Sequence, residues 1–220
     1  MAKRSRSRHG SLQYYPRKRV SKLLPRVNWD VVSSKENGLL GIIAYKVGMA
    51  TALVKDNTDK VSTSKKQVYM PVTILEVPTM KIYSIRFYKH GKVMKDIVVS
   101  HDKELKRKIR TAKTLGKIEN APADFDDVRV IVYSLPKETT VKKTPDFIEL
   151  GISADDKLEY IKSLIGKEIT LENFPKLSLV DVRGVTEGKG FQGPAKRFGI
   201  SLRQHKSEKG VRKVGSIGPW

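Results

Sequence analysis

Gly188, Gly190 and Gly193, in the stretch GKGFQG, stand at the GxGxxG spacing with which dinucleotide-binding folds bring a pyrophosphate onto a helix N-terminus. The neighbouring residues do not suit that chemistry. A fingerprint of this kind sits early in a βαβ unit and opens an apolar helix. Here Pro194 leads into the basic AKRFG, Gly199 follows too soon, and Glu208 is an unsupported partner for a ribose hydroxyl. A Walker loop is ruled out because no Gly-Lys-Ser or Gly-Lys-Thr is present. The four histidines, His9, His90, His101 and His205, never fall at a metal-ligand spacing, no serine occupies a GxSxG elbow, and there is no cysteine. Asp126/Asp127 and Asp155/Asp156 read as loop and helix-entry residues. The expectation is a non-enzyme with no cofactor, no metal and no small-molecule substrate.

The chemistry that the composition does favour is the binding of a polyanion. The chain has 44 Lys and Arg against 23 Asp and Glu, a net charge of +21, and an isoelectric point near 10.0. Residues 1–30 hold nine basic and one acidic residue, residues 183–220 nine basic and two acidic, and residues 31–182 only +6 in net charge. Two basic arms therefore flank a more ordinary body. The last 37 residues also hold eight of the sixteen glycines, too many for a helix and with too few apolar residues for a core. Glycine lets a backbone approach closely, cations neutralise phosphate, and planar side chains stack on unpaired bases, a combination suited to folded RNA. The candidate contacts in the first arm are Arg4, Arg6, Arg8, His9, Arg17, Lys18 and Arg19. In the last they are the cations Lys189, Lys196, Arg197, Arg203, Lys206, Arg212 and Lys213, with Gln192 and the rings Phe191, His205 and Trp220; Phe191 and Phe198 either stack on bases or anchor the loop on the barrel.

These residues need a scaffold. The 39% hydrophobic content is enough for a core in part of the 220 residues. The longest apolar run, near Gly38 to Tyr45, falls far short of the roughly twenty residues that span a bilayer, so no membrane partner is expected. An organelle transit peptide at the Arg- and Ser-rich start is disfavoured by His9-Gly10, Pro16 and Pro25, which break the helix such peptides form. The absence of cysteine suits a reducing compartment. Strands are expected in GLLGIIAYKVGMATALV, with a break at Lys46 to Gly48, and in QVYMPVTILEV, both half buried. Further strands are expected at 80–88, 92–99, 128–135, 167–171 and 177–185, with Lys89-His90-Gly91 as a hairpin link. One helix is expected over 100–115, supported by Asp102/Lys106 and Glu104/Lys108 pairs. A second would start at Ser153, bury Leu158, Ile161, Leu164 and Ile165, and stop at Gly166. The class is mainly β with α insertions, as a barrel or sandwich.

The series RHGSLQYYPRKR, GLLGIIAYKVGMAT, VTILEVPTM, DVRGVTEGKGFQG and GVRKVGSIGPW spans almost the whole chain. In that order it resembles the archaeal and eukaryotic branch of universal large-subunit ribosomal protein three. The resemblance implies a structural constituent of the large ribosomal subunit in the cytoplasm, with large-subunit rRNA and neighbouring ribosomal proteins as partners. It implies a Greek-key β-barrel at 38–183, a basic extension at 1–37, and a long internal RNA-binding loop whose first limb is 184–220. That loop reaches toward the peptidyl-transferase centre and is tipped by a tryptophan matching Trp220. Family members continue beyond GPW, so an N-terminal fragment or one half of a split protein is expected. Glu208 stands where eukaryotic relatives have a histidine, and that histidine's role does not carry over. The alternative in another class is a free-standing regulatory or chromatin-type nucleic-acid binder.

Overall fold

The run MKIYSIRFY is expected as a strand at 80–88, and the computed structural model, which describes residues 18–32, 34, 36–174, 179–207 and 209–219, places it in a four-stranded sheet between two partners. The chain divides into two units, one of Arg26–Asp181 and one of Met1–Pro25 with Val182–Trp220. The first unit holds the sheets. Its strands are β1 (Gly38–Leu39), β2 (Tyr45–Lys55), β3 (Gln67–Glu76), β4 (Met80–Lys89), β5 (Lys92–Val98), β6 (Asp127–Ser134), β7 (Phe147–Leu150) and β8 (Ile152–Ser153). All pairings are antiparallel: β5-β4-β6-β7 form the four-stranded sheet, β2 pairs with β3, and β1 with β8. The protein is mainly β.

In β4 the buried positions run Met80, Ile82, Ser84 and then Ile85, Phe87. This change of phase coincides with a register shift against β6 between Ile82 and Ser84. One extra residue flips the strand, and the inward set resumes on the odd positions. The turn to β5 is His90-Gly91, with φ of 48° and 70°. Positive φ at both central residues is the geometry whose twist matches the flanking strands. Phe87 meets Phe125 edge to face at 5.3 Å, and Tyr133, Leu105 and Leu135 form a second buried cluster against Tyr83, Ile109 and Phe147. Trp29 is buried as a wedge. Its indole N–H donates to the Glu149 carbonyl at 2.9 Å, and a Cβ on Gly41 or Gly151 would lie 3.1 or 3.0 Å from its atoms.

Several elements differ from the sequence expectation, each for a local reason. The helix expected over 100–115 is a single 3-10 turn, Lys103–Arg107. Its charges bond outward rather than along a helix: Asp102 accepts from Tyr133 at 2.5 Å, Lys108 pairs with Asp146 at 3.1 Å, and Glu104 pairs with Lys137 at 3.5 Å. Gly116 then donates its N–H to the Val98 carbonyl at 2.8 Å, drawing the segment along β5. Tertiary bonds override a modest helical propensity. The second helix, α1, spans Lys157–Leu164, because residues 152–153 are used in β8; its cap is Asp156, which accepts from the N–H groups of Leu158 and Glu159. Only Ile161 is fully buried, and Gly166, with φ of 76°, follows the end.

The break expected at Lys46 to Gly48 is a bulge inside a continuous β2. The half-burial expected of β2 and β3 does not hold. Gly48, Ala50, Ala52 and Val54 lie opposite Ile74, Val72, Met70 and Val68, one apolar face of a ribbon on which Ile74 is 49% and Met70 50% exposed. The strand expected at 167–171 is reduced to a bridge between Ile169 and Met80. No strand forms over the described residues 179–185, where Leu179, Val180 and Val182 are exposed and have no pairing edge.

Candidate nucleic-acid interface

In the second unit the backbone is shaped mainly by glycine and proline. Helix α2, Pro194–Phe198, is one short turn, with Gly193 as its cap and Pro194 in the first position, where a missing N–H costs nothing. Gly199, at φ 61° and ψ 38°, ends it in the left-handed conformation and donates to the Ala195 carbonyl. The turn carries Lys196 and Arg197. No strand forms over the described residues 179–193 that lead into it, so the dinucleotide geometry suggested by GKGFQG is not built.

Among the described residues of this unit, two rings are paired with guanidinium groups. Arg19 lies over Phe191 at 5.1 Å from the ring centroid, and Arg197 over Phe198 at 4.8 Å. Arg19 and Phe191 are 172 positions apart in sequence, so this contact joins residues of both basic arms. Phe191 is 92% exposed and Phe198 48%. Gln192, next to Phe191 in sequence, is half buried. Lys189 pairs with Glu187 at 3.7 Å on an exposed stretch, an interaction worth little in water.

Arg203 also bonds within the segment. Its backbone N–H donates to the Val211 carbonyl and its guanidinium to the Val214 carbonyl, both at 3.0 Å. It therefore closes a loop on which His205, Lys206, Arg212 and Lys213 are exposed. Lys209, absent from the sequence-derived set, sits at the loop's turn with φ of 61° before Gly210 at 95°. The signal for it was a lysine directly before a glycine in a polar run. Lys18 is exposed. Arg4, Arg6, Arg8, His9, Arg17, Trp220 and also Glu208 lie outside the described residues.

The first unit deals with charge in another way. Arg129, with a side chain 11% exposed, reaches Asp30 at 2.6 Å, Asp127 at 3.0 Å and Glu149 at 3.3 Å, and lies over the Tyr88 ring. Arg86 bridges Asp96 and Glu149. Burial by itself would raise the Asp127 carboxyl, but hydrogen bonds from Lys157 and Arg129 outweigh it and hold the group below its ordinary value. Asp146 follows the same logic. Burial raises it, whereas bonds from Lys142, Tyr45 and Lys108 bring it lower overall. Burial, and then the bond to Asp146, pushes the Tyr45 phenol up. These groups satisfy one another. Among the described residues no cluster of His, Asp and Glu is arranged to hold a metal ion, and no helix is long and apolar enough to cross a membrane.

Comparison with known proteins is consistent with the motif series. The family model for ribosomal protein L3 matches residues 1–117 and 94–220. The chain is 39% identical to the large ribosomal subunit protein uL3 of Methanosphaera stadtmanae, over all of this chain and 71% of the relative. It is 38% identical to the uL3 of Methanococcus vannielii, over 99% of this chain and 70% of that one. It is 39% identical to the uL3 of Nanoarchaeum equitans, over 96% and 68% respectively. With a family model reaching both ends and identity of this order along its length, the chain belongs to the ribosomal protein L3 family.

Proposed function

We propose that the chain is a structural constituent of the large ribosomal subunit, not an enzyme, bound in the cytoplasm to large-subunit rRNA and to neighbouring ribosomal proteins. The observation that carries this reading is the Arg19–Phe191 contact, which gathers residues of both basic arms in one unit of a chain belonging to a ribosomal family. Lys18, Arg19, Lys189, Lys196, Arg197, Arg203, Lys206, Arg212 and Lys213 neutralise phosphates, as do Arg4, Arg6, Arg8 and Arg17, and His9 also contacts the RNA. Gln192 bonds polar groups of the RNA, and His205 and Trp220 stack on its bases. Residues 1–37 act as the extension, 38–183 as a Greek-key barrel body, and 184–220 as the first limb of a loop reaching toward the peptidyl-transferase centre. The apolar face of the β2–β3 ribbon is where that barrel closes. This is supported by the relatives, in which nearly a third of the length lies outside the match.

Binding of the purified chain to single-stranded rRNA segments should weaken steeply with salt, with a log–log slope of about −0.7 per phosphate contacted. A slope near zero removes the reading. A ribosomal constituent also stays with the large subunit through a moderate salt wash, whereas a free-standing regulatory or chromatin-type binder is released.

A further inference from the structure

Phe191 is the most exposed Phe, Tyr or Trp side chain among the described residues. An apolar ring at 92% exposure is ordinarily turned inward or covered, and here local features keep it outside. Gly190, immediately before it, has φ of 54°, a conformation that glycine adopts at no steric cost and that turns the following residue out of the run. Gly188 and Gly193 have open space where a Cβ would be, so the flanking backbone leaves the ring clear. The Arg19 guanidinium lies over one face, 5.1 Å from the ring centroid, without burying it. Among the described residues no other cation lies over the ring, and Phe191 stays 92% exposed.

We propose that Arg19 and Phe191 form a stacking platform for one unpaired RNA base, which lies on the open face of Phe191 while Arg19 backs the ring from the other side. The proposal rests on the RNA-binding reading above and adds to it the chemical class of the ligand. A base held within a duplex has both faces occupied by its neighbours, so the platform selects a single strand, a bulge or a loop. The planar guanidinium pairs with the ring and brings positive charge next to the phosphates on either side of the base. A protein partner fits less well. The residues flanking Phe191 in sequence, Lys189, Gly190, Gln192 and Gly193, include no large apolar side chain of the kind that enriches a protein interface. Phe198 does not share this role, because it is only 48% exposed and lies beneath the arginine adjacent to it in sequence.

The test uses the full chain, a twelve-nucleotide single-stranded RNA containing one 2-aminopurine, and a blunt duplex of the same length. Phe191→Leu keeps an apolar side chain without the ring and should bind the single strand about five- to a hundredfold more weakly, with its salt slope unchanged. Phe191→Tyr should restore binding and the quenching of 2-aminopurine. Duplex affinity should be equal for all three proteins. Unchanged single-strand affinity in Phe191→Leu, or an equal loss on single strand and duplex, overturns the platform and leaves the RNA-binding reading standing. Failure of the unsubstituted chain to bind either RNA overturns both.

Discussion

Residues 26–181 and residues 182–219 belong to one chain, yet they treat an arginine in opposite ways. In the body Arg129 is nearly buried and meets three carboxylates, and its neighbour Arg86 meets two. In 183–220 nine basic residues face only two acidic ones, so mutual neutralisation cannot be the rule there. The body is held by burial and reciprocal charge. The cationic unit takes its path from left-handed glycines, a one-turn helix and carbonyls bonded by Arg203, none of which consumes the charges of Lys196, Lys206 or Lys213. A segment whose backbone is fixed by turns and whose charge is left over is suited to an outside partner of opposite sign.

That contrast gives graded tests. The largest effect is expected at Phe87, fully buried against Phe125: Phe87→Ala should cost about 3–5 kcal/mol in urea unfolding, while the salt slope of RNA binding measured on folded protein stays the same. A change of slope would mean that the two regions are not energetically separate. Arg129→Met should cost about 2 kcal/mol, since Asp127, Glu149 and Asp30 lose a common donor. Asp127 is held lower in the folded protein than its ordinary value of 3.8, so its contribution is present above pH 3.8 and is lost as the pH falls through the lowered value. Unfolding free energies measured from neutral to acidic pH should therefore decline less in Asp127→Asn than in the unsubstituted chain. Gly151→Ala should cost about 1 kcal/mol in the same assay, because its Cβ would press on a tryptophan tethered by its indole N–H. Lys206→Ala should change unfolding by less than about 0.5 kcal/mol and shift the RNA salt slope by about 0.7.

The sequence was informative where local chemistry and tertiary packing agree. Lys89-His90-Gly91 announced a hairpin, and the flanking strands at Met80–Lys89 and Lys92–Val98 lie where they were expected. It misled where a local pattern competed with distant bonds. Asp102, Glu104 and Lys108 were spaced for a helix but found partners in Tyr133, Lys137 and Asp146, residues whose proximity no window of sequence reveals. Strand β7 went unread because Phe147–Leu150 is short, and only its place beside β6 makes it a strand. The cationic character of the last segment was legible from composition alone. The division of labour within it was not. Arg203, a candidate phosphate contact like its neighbours, also closes the loop through its bonds to Val211 and Val214, a role that composition does not announce. Arg19 and Phe191 are too far apart in sequence for their pairing to have been foreseen.

The wedge of Trp29 between Gly41 and Gly151 also equips the molecule with an internal optical reporter. The chain has two tryptophans, so Trp220→Phe leaves Trp29 as the sole indole. Shielded from water and bonded to the Glu149 carbonyl, it should emit at short wavelength and move to the red as the sheet body melts. Titrating salt or RNA against the cationic segments should leave that colour untouched.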